Sequence, residues 1–143
     1  MAFRGNYEHS LDNGGRVAIP ARFRDAFADG GVLKPSPDGC LELYTVVDFE
    51  TTARELSTES AQQHRGRRVR RAIYAMSYDV EIDRQGRILV PQAMRSHAGL
   101  EGAVVLAGRG ECLEIWSAES WRQEQATVES EHAAILEAQG SVG

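Results

Sequence analysis

The sequence predicts an α+β protein made of two interleaved β-rich halves with flanking helices, and three observations predict it. The first is an internal repeat: YEHSLDNGGRVAIP at residues 7–20 returns as YDVEIDRQGRILVP at residues 78–91. Tyr7, Asp12, Gly15, Arg16, Pro20 and Arg24 match Tyr78, Asp83, Gly86, Arg87, Pro91 and Arg95 at an offset of 71, and Cys40–Tyr44 matches Cys112–Trp116 at an offset of 72. One residue is therefore gained between Arg95 and Val104. The second observation is that each copy reads as short strands punctuated by glycine turns, with a short helix between them. The third is size. A unit of roughly 45 residues cannot bury enough apolar surface to stand alone, so each copy needs the other as its partner.

The elements follow in order. Residues 4–11 alternate loosely and predict a strand. Asp12-Asn13-Gly14-Gly15 predicts a type I turn closed by a left-handed glycine, and Arg16–Ile19 returns as a strand. Asp83–Gly86 and Arg87–Val90 repeat this, with Gly15 and Gly86 taking the positive φ that a side chain resists. Pro20 and Pro91 stand where a strand gives way to a short helix, a position that tolerates a missing N–H. The helices at residues 21–28 and 92–98 end at Asp29-Gly30-Gly31 and at Gly99. Strands at residues 32–34 and 103–107, loops at 35–39 and 108–111, and strands at 40–45 and 112–116 complete the units. Each unit is followed by a helix, one from Val47 to about Ser57 and one from Ala118 to about Ala138, with Trp116 and Trp121 packing where strand meets helix. Residues 57–66 read as a polar linker in which Gly66 breaks any helix. Residues 65–76 open another helix into the second unit, and Gln139–Gly143 fray. The domain bounds are 5–47 for the first unit, 48–76 for the helical linker, 77–120 for the second unit and 121–143 for the C-terminal helix and tail.

Composition narrows the functional classes. The chain has 143 residues, 16 Lys+Arg and 21 Asp+Glu, for a net charge of −5, which argues mildly against nucleic acid as a partner. The halves differ, however: residues 1–71 carry +1 and residues 72–143 carry −6. Lys34 is the one lysine, and the other fifteen cations are arginine, which suits forked contacts to phosphate or carboxylate. The two cysteines sit at matched positions and read as small buried residues, not as a disulfide framework. The N-terminus has no apolar signal core and no stretch is long and apolar enough for a membrane helix, so a cytosolic protein is expected. His9, His64, His97 and His132 are scattered without metal spacing, no nucleophile constellation or phosphate loop is present, and no enzyme, cofactor, metal or small-molecule substrate is indicated.

The candidate site is the pair of Asp-x-x-Gly-Arg turns. Turn geometry accounts for Asp12, Asp83, Gly15 and Gly86, but it does not require an arginine after the glycine. Arg16 and Arg87, on two hairpins paired about a pseudo-twofold axis, would form a symmetric basic feature suited to a polyanion. Asp12 and Asp83 could hold each arginine by pairing with it, and Arg4, Asn13 and Arg84 lie nearby in sequence. The run Arg65–Arg71 invites a nucleic-acid reading too. The stronger reading of that run is a charged helix face, paired with Glu55 and Glu59 or with a neighbouring subunit's acidic C-terminal half.

Taken together, FRGNYEHSLD, NGGRVAIPARFRDAF, GCLELY, DRQGRILVPQ and VVLAG followed by LEIWSAESW resemble the MraZ family of bacterial transcriptional regulators, from Phe3 to about Trp121. The resemblance implies two tandem AbrB-type swapped-hairpin units forming one pseudo-twofold, β-barrel-like core. It implies ring-shaped homo-oligomers that bind direct repeats of promoter boxes in double-stranded DNA, upstream of the division and cell-wall gene cluster and of the regulator's own gene. A cytoplasmic, nucleoid-associated protein follows from that. The family's paired Asp-x-x-x-Arg motifs fall on Asp12/Arg16 and Asp83/Arg87. Position 14, often Lys in relatives, is Gly14 here, so one cation near the first turn is missing. That bears on the strength of the first-half contact and not on its mode, with Arg84 as a partial offset. The rival function is a ring-forming scaffold whose arginines bind an acidic protein. An antitoxin-like single AbrB unit with a toxin-binding tail is disfavoured by the duplication.

Overall fold

Local sequence sets the elements closely. The computed structural model describes residues 2–142. The first repeat runs β1 (Asn6–Ser10), β2 (Arg16–Ala18), a 3-10 helix (Ala21–Phe27), β3 (Gly31–Pro35) and β4 (Leu41–Thr45). Helix α1 (Val46–Leu56), helix α2 (His64–Arg70) and a π-helical turn (Arg71–Ala75) lead to the second repeat. That repeat runs β5 (Tyr78–Val80), β6 (Arg87–Leu89), α3 (Gln92–Ala98), β7 (Ala103–Gly108) and β8 (Leu113–Ser117), and α4 (Ala118–Val142) follows.

The strands then exchange between repeats. The large antiparallel sheet has the order β1-β7-β8-β4-β3-β5. Strand β1 pairs with β7 of the other repeat, placing Tyr7 opposite Leu106, and β5 pairs with β3, placing Tyr78 opposite Leu33. Strands β2 and β6 form a separate two-stranded ribbon. Two sets of matched repeat positions face each other: Val17 and Ile88 in the ribbon, and Glu42 and Glu114 at the centre of the sheet. Reciprocal pairing of repeat counterparts places the pseudo-twofold axis through both points. Sheet and ribbon do not close into a barrel, because β1 and β5 remain edges.

This register corrects the repeat alignment. Leu33 and Leu106 are partners of the matched Tyr78 and Tyr7 and are both fully buried, so they are counterparts at an offset of 73. Leu41 and Leu113 remain 72 apart. Two residues are therefore gained before β7 and one is lost in the β7–β8 hairpin. Sequence could not separate these events, because neighbouring apolar residues in β3 and β7 are interchangeable by type.

The core lies between the sheet and the ribbon and takes matched residues from both repeats: Val17 with Ile88, Ile19 with Val90, Phe23 with Met94 and Leu43 with Ile115. Phe3 inserts against Phe23 and Phe27 at ring separations of 5.1 and 5.5 Å. Its repeat counterpart Tyr74 is exposed, and the short helix that Phe3 packs on is 3-10 where its counterpart α3 is α-helical. On the outer face of the sheet, Tyr44, Phe49, Ala53 and Ile73 pack together on one side of the axis, and Cys40, Ala107 and Trp116 with Trp121 on the other. Both cysteines are free and buried, and burial pushes their thiols up to about 12.

Two further expectations fail. Gly66 does not break a helix but sits buried inside α2, where a Cβ would overlap the Ser60 carbonyl; it is there for close approach. Residues 139–142 do not fray as a tail but continue α4 to Val142, because a single interior glycine, Gly140, weakens a helix without ending it. Gly143 lies outside the described residues. Among the described residues no helix is long and apolar enough to cross a membrane.

Candidate nucleic-acid interface

The two turns have the same construction. Asp12 Oδ1 accepts hydrogen bonds from Gly14 N at 2.9 Å and Arg16 N at 2.8 Å. Asp83 Oδ1 accepts from Gln85 N and Arg87 N, each at 2.9 Å. These bonds hold both carboxyls below the usual carboxylate range, with the backbone N–H of Arg16 or Arg87 the largest cause in each turn. Gly15 and Gly86 adopt φ of +82° and +78°. Each turn is thus fixed by its own backbone before any ligand arrives.

The repeats also lock one another. Val90 N donates to Gly15 O and Ile19 N to Gly86 O, both at 2.8 Å, which extends the β2–β6 ribbon into the opposite turn. Arg95 donates to Val90 O at 2.8 Å and covers Gly15, and Arg24 donates to Ile19 O at 2.9 Å and covers Gly86. A Cβ at either glycine would overlap that guanidinium. Sequence reasoning matched Arg24 with Arg95 but gave them no role. The available signal was their recurrence at the turn offset without any turn function.

The two leading arginines differ. Arg87 donates to Asp83 Oδ2 at 3.0 Å and to Asp12 Oδ2 of the other turn at 3.3 Å. Arg16 is exposed, and its guanidinium has no ion-pair partner among the described residues. Asp12 therefore holds Arg87 across the axis and not the Arg16 guanidinium, in contrast to the expectation of one pair per turn. Asn13 and Arg84 are exposed at the two matched turn tips. Arg4 does not join them: it lies beyond the other end of β1, beside Arg22 and Phe23. The face centred on Val17 and Ile88 thus gathers Arg16, Arg24, Arg84, Arg87 and Arg95 against Asp12 and Asp83, a net positive surface on an acidic chain.

Fold and face together define a class: a duplicated α+β protein whose two interlocked repeats present one axis-centred basic ribbon. A family model described as "MraZ protein, putative antitoxin-like" matches residues 2–72 and again residues 73–139. The chain belongs to the MraZ family. It is 40% identical to a "Transcriptional regulator MraZ" of Thermomicrobium roseum over 94% of this chain and 95% of the relative. Proteins of the same name from Roseiflexus castenholzii and Mycoplasmoides gallisepticum are 41% and 38% identical, over 84% and 85% of each chain.

Proposed function

We propose that this protein is a sequence-specific DNA-binding transcriptional regulator that acts as a ring-shaped homo-oligomer on directly repeated promoter boxes. The boxes lie upstream of the division and cell-wall gene cluster, and the protein works in the cytoplasm at the nucleoid. The observation that carries the reading is the paired, pre-fixed turn face, with Arg16 unpaired and Arg87 oriented by two carboxylates. The names of the relatives support it. Units 5–47 and 77–120 act as one body, with 48–76 connecting them and 121–143 extending beyond. Arg16 and Arg87 contact phosphate or a guanine edge through their forked donors. Asn13 and Arg84 reach the duplex from the tips, Arg24 and Arg95 hold the turns in place, and Arg4 is a peripheral contact. Because the backbone is already bonded, little ordering cost accompanies binding.

One subunit offers few cations on a chain of net charge −5, so a single box binds weakly. A ring repeats the face, and matched boxes raise avidity by roughly 10²–10⁴. The test is a fluorescence titration of one, two and three boxes from the protein's own upstream region at several salt concentrations. Affinity should rise with box number, and log K should fall against log salt with a slope of about −0.9 per phosphate neutralised. Equal affinity for one box and three, with a flat salt response, would sink this reading in favour of a scaffold that binds an acidic protein.

A further inference from the structure

Backbone alternation gives the β2–β6 ribbon two faces. Val17, Ile19, Ile88 and Val90 point into the core and are buried. Arg16, Ala18, Arg87 and Leu89 point the other way, onto the basic face. Arg16 stands directly opposite Leu89, and Ala18 directly opposite Arg87. The pseudo-twofold axis therefore exchanges one arginine for another, but it exchanges Leu89 for an alanine. Ala18 is a half-buried methyl group, whereas Leu89 is 48% exposed at the centre of a positively charged surface. The other exposed large apolar side chains among the described residues lie on α1, on α4, on β5 or in the segment that leads into β5. Leu89 alone of them stands among the arginines of the ribbon.

A single exposed leucine is ordinary on a protein surface. The place of this one is not. Its apolar area stays in water until something covers it, and whatever does so must also meet the guanidinium donors of Arg16 and Arg87 on either side. The occupant is thus a polyanion that carries an apolar group. The major groove of duplex DNA has that character: it admits a two-stranded β-ribbon, guanine presents acceptors to arginine, and thymine presents a methyl group. We infer that Leu89 is a specificity-determining residue that packs on the C5-methyl group of a thymine in the box, and that the difference between Leu89 and Ala18 gives each subunit one preferred direction on DNA. Directly opposed Cβ atoms of an antiparallel pair lie about 5 Å apart. The thymine therefore sits within about two steps of 3.4 Å from the group that Arg16 contacts. Ala18, three carbons shorter, leaves the matched position across the axis unread. A face with a direction suits boxes repeated in the same sense, since every subunit then meets its box alike. The inference rests on the DNA-binding reading and adds a base-reading residue to it.

The experiment is a thymine scan of a one-box duplex at low salt. Each thymine is replaced in turn by deoxyuridine, which keeps the hydrogen-bonding groups and lacks only the methyl. Every duplex is titrated with the full-length wild type, with Leu89→Ala and with Leu89→Met, after circular dichroism has shown the variants to be folded. The wild type should lose affinity about four-fold at one position, which is about 0.8 kcal/mol for one buried carbon group at 1.4 kcal/mol per factor of ten. Leu89→Ala should bind the unmodified box more weakly with the salt slope unchanged, because no cation is removed. It should also no longer distinguish thymine from deoxyuridine at that position, whereas Leu89→Met, which keeps an apolar group of similar reach, should still do so. Equal wild-type affinity for every deoxyuridine duplex overturns the inference. A cost that persists undiminished in Leu89→Ala assigns the methyl to another residue and overturns it too. So does an unaltered scan for Leu89→Ala with a lowered mass in solution, which assigns the leucine to a contact between copies. In all three cases the wild type still binds the box and the DNA-binding reading stands. A wild type that binds no box overturns both.

Discussion

Arg16 and Arg87 occupy matched positions yet stand in different electrostatic states, and this decides what each substitution should do. Arg16 has no ion-pair partner among the described residues, so Arg16→Ala should lower single-box affinity and reduce the magnitude of the salt slope by about 0.9. Arg87 is oriented by Asp12 and Asp83, so Arg87→Ala removes a donor and also leaves two carboxylates facing the DNA; it should cost more in affinity than Arg16→Ala. Arg67→Ala with Arg68→Ala should spare single-box binding. A titration of the three variants against one box checks all of this, and loss confined to the last variant would show that the wrong surface has been chosen. At the other end of the axis, Glu42 and Glu114 are buried directly opposite one another. Arg109 bridges them at 2.7 and 3.0 Å, with Lys34 and Tyr44 also on Glu42 and Trp116 on Glu114. Burial pushes the Glu42 carboxyl up, but the Arg109 bond and the neighbouring cation more than offset this and leave it lowered. Arg109→Ala should therefore destabilise by about 3 kcal/mol in urea unfolding at pH 7, at the low end for a broken buried pair because Arg109 is 36% exposed. A lowered folded pKa means that the Glu42 contribution is complete above the usual glutamate range and is lost as pH falls through the folded value. The wild-type and Arg109→Ala stabilities should accordingly converge once the pH has fallen through that lowered folded value, below the usual glutamate range. A gap that persists in acid would assign the effect to lost packing instead.

At the scale of the element, the turns and α2 show two uses of glycine. Gly86 needs both a positive φ and room for Arg24, so Gly86→Ala should destabilise by about 2 kcal/mol and weaken DNA binding through a displaced turn. Gly14 is different: its φ is ordinary, and an added Cβ would meet the movable Arg16 Nη1 at 2.7 Å. Gly14→Lys should therefore fold normally, add a cation beside the first turn, and steepen the salt slope by about 0.9. A folded variant with unchanged slope would place position 14 away from the phosphates. Turn chemistry was legible in sequence because Asp and Gly at those spacings satisfy local backbone requirements. Gly66 was misread because its requirement is not local. It lies in a helix that a glycine disfavours, and its reason is the Ser60 carbonyl pressed against it from the preceding loop. The 25-residue extent of α4 was likewise underestimated, since a weak helix former near a terminus reads as an end.

At the scale of the whole molecule, strand exchange makes the repeats inseparable. Residues 1–57 and 72–143, expressed apart, should each give the poorly dispersed NMR spectra of unfolded chains, because β1 and β5 find their partners only in the opposite repeat. Dispersed monomeric spectra from both fragments would refute this. The amino-acid sequence by itself determined the duplication, the order of strand, turn and helix, the two Asp-x-x-Gly-Arg turns and the arginines that follow them. These depend on periodicity and on backbone chemistry within a few residues. Tertiary structure alone decided that Asp12 holds Arg87, that Arg24 and Arg95 cover the opposite turns, that Glu42 meets Glu114 on the axis, and that the repeat offset reaches 73 in β7. Those contacts join residues some 70 positions apart, and only the exchanged pairing of the strands brings them together.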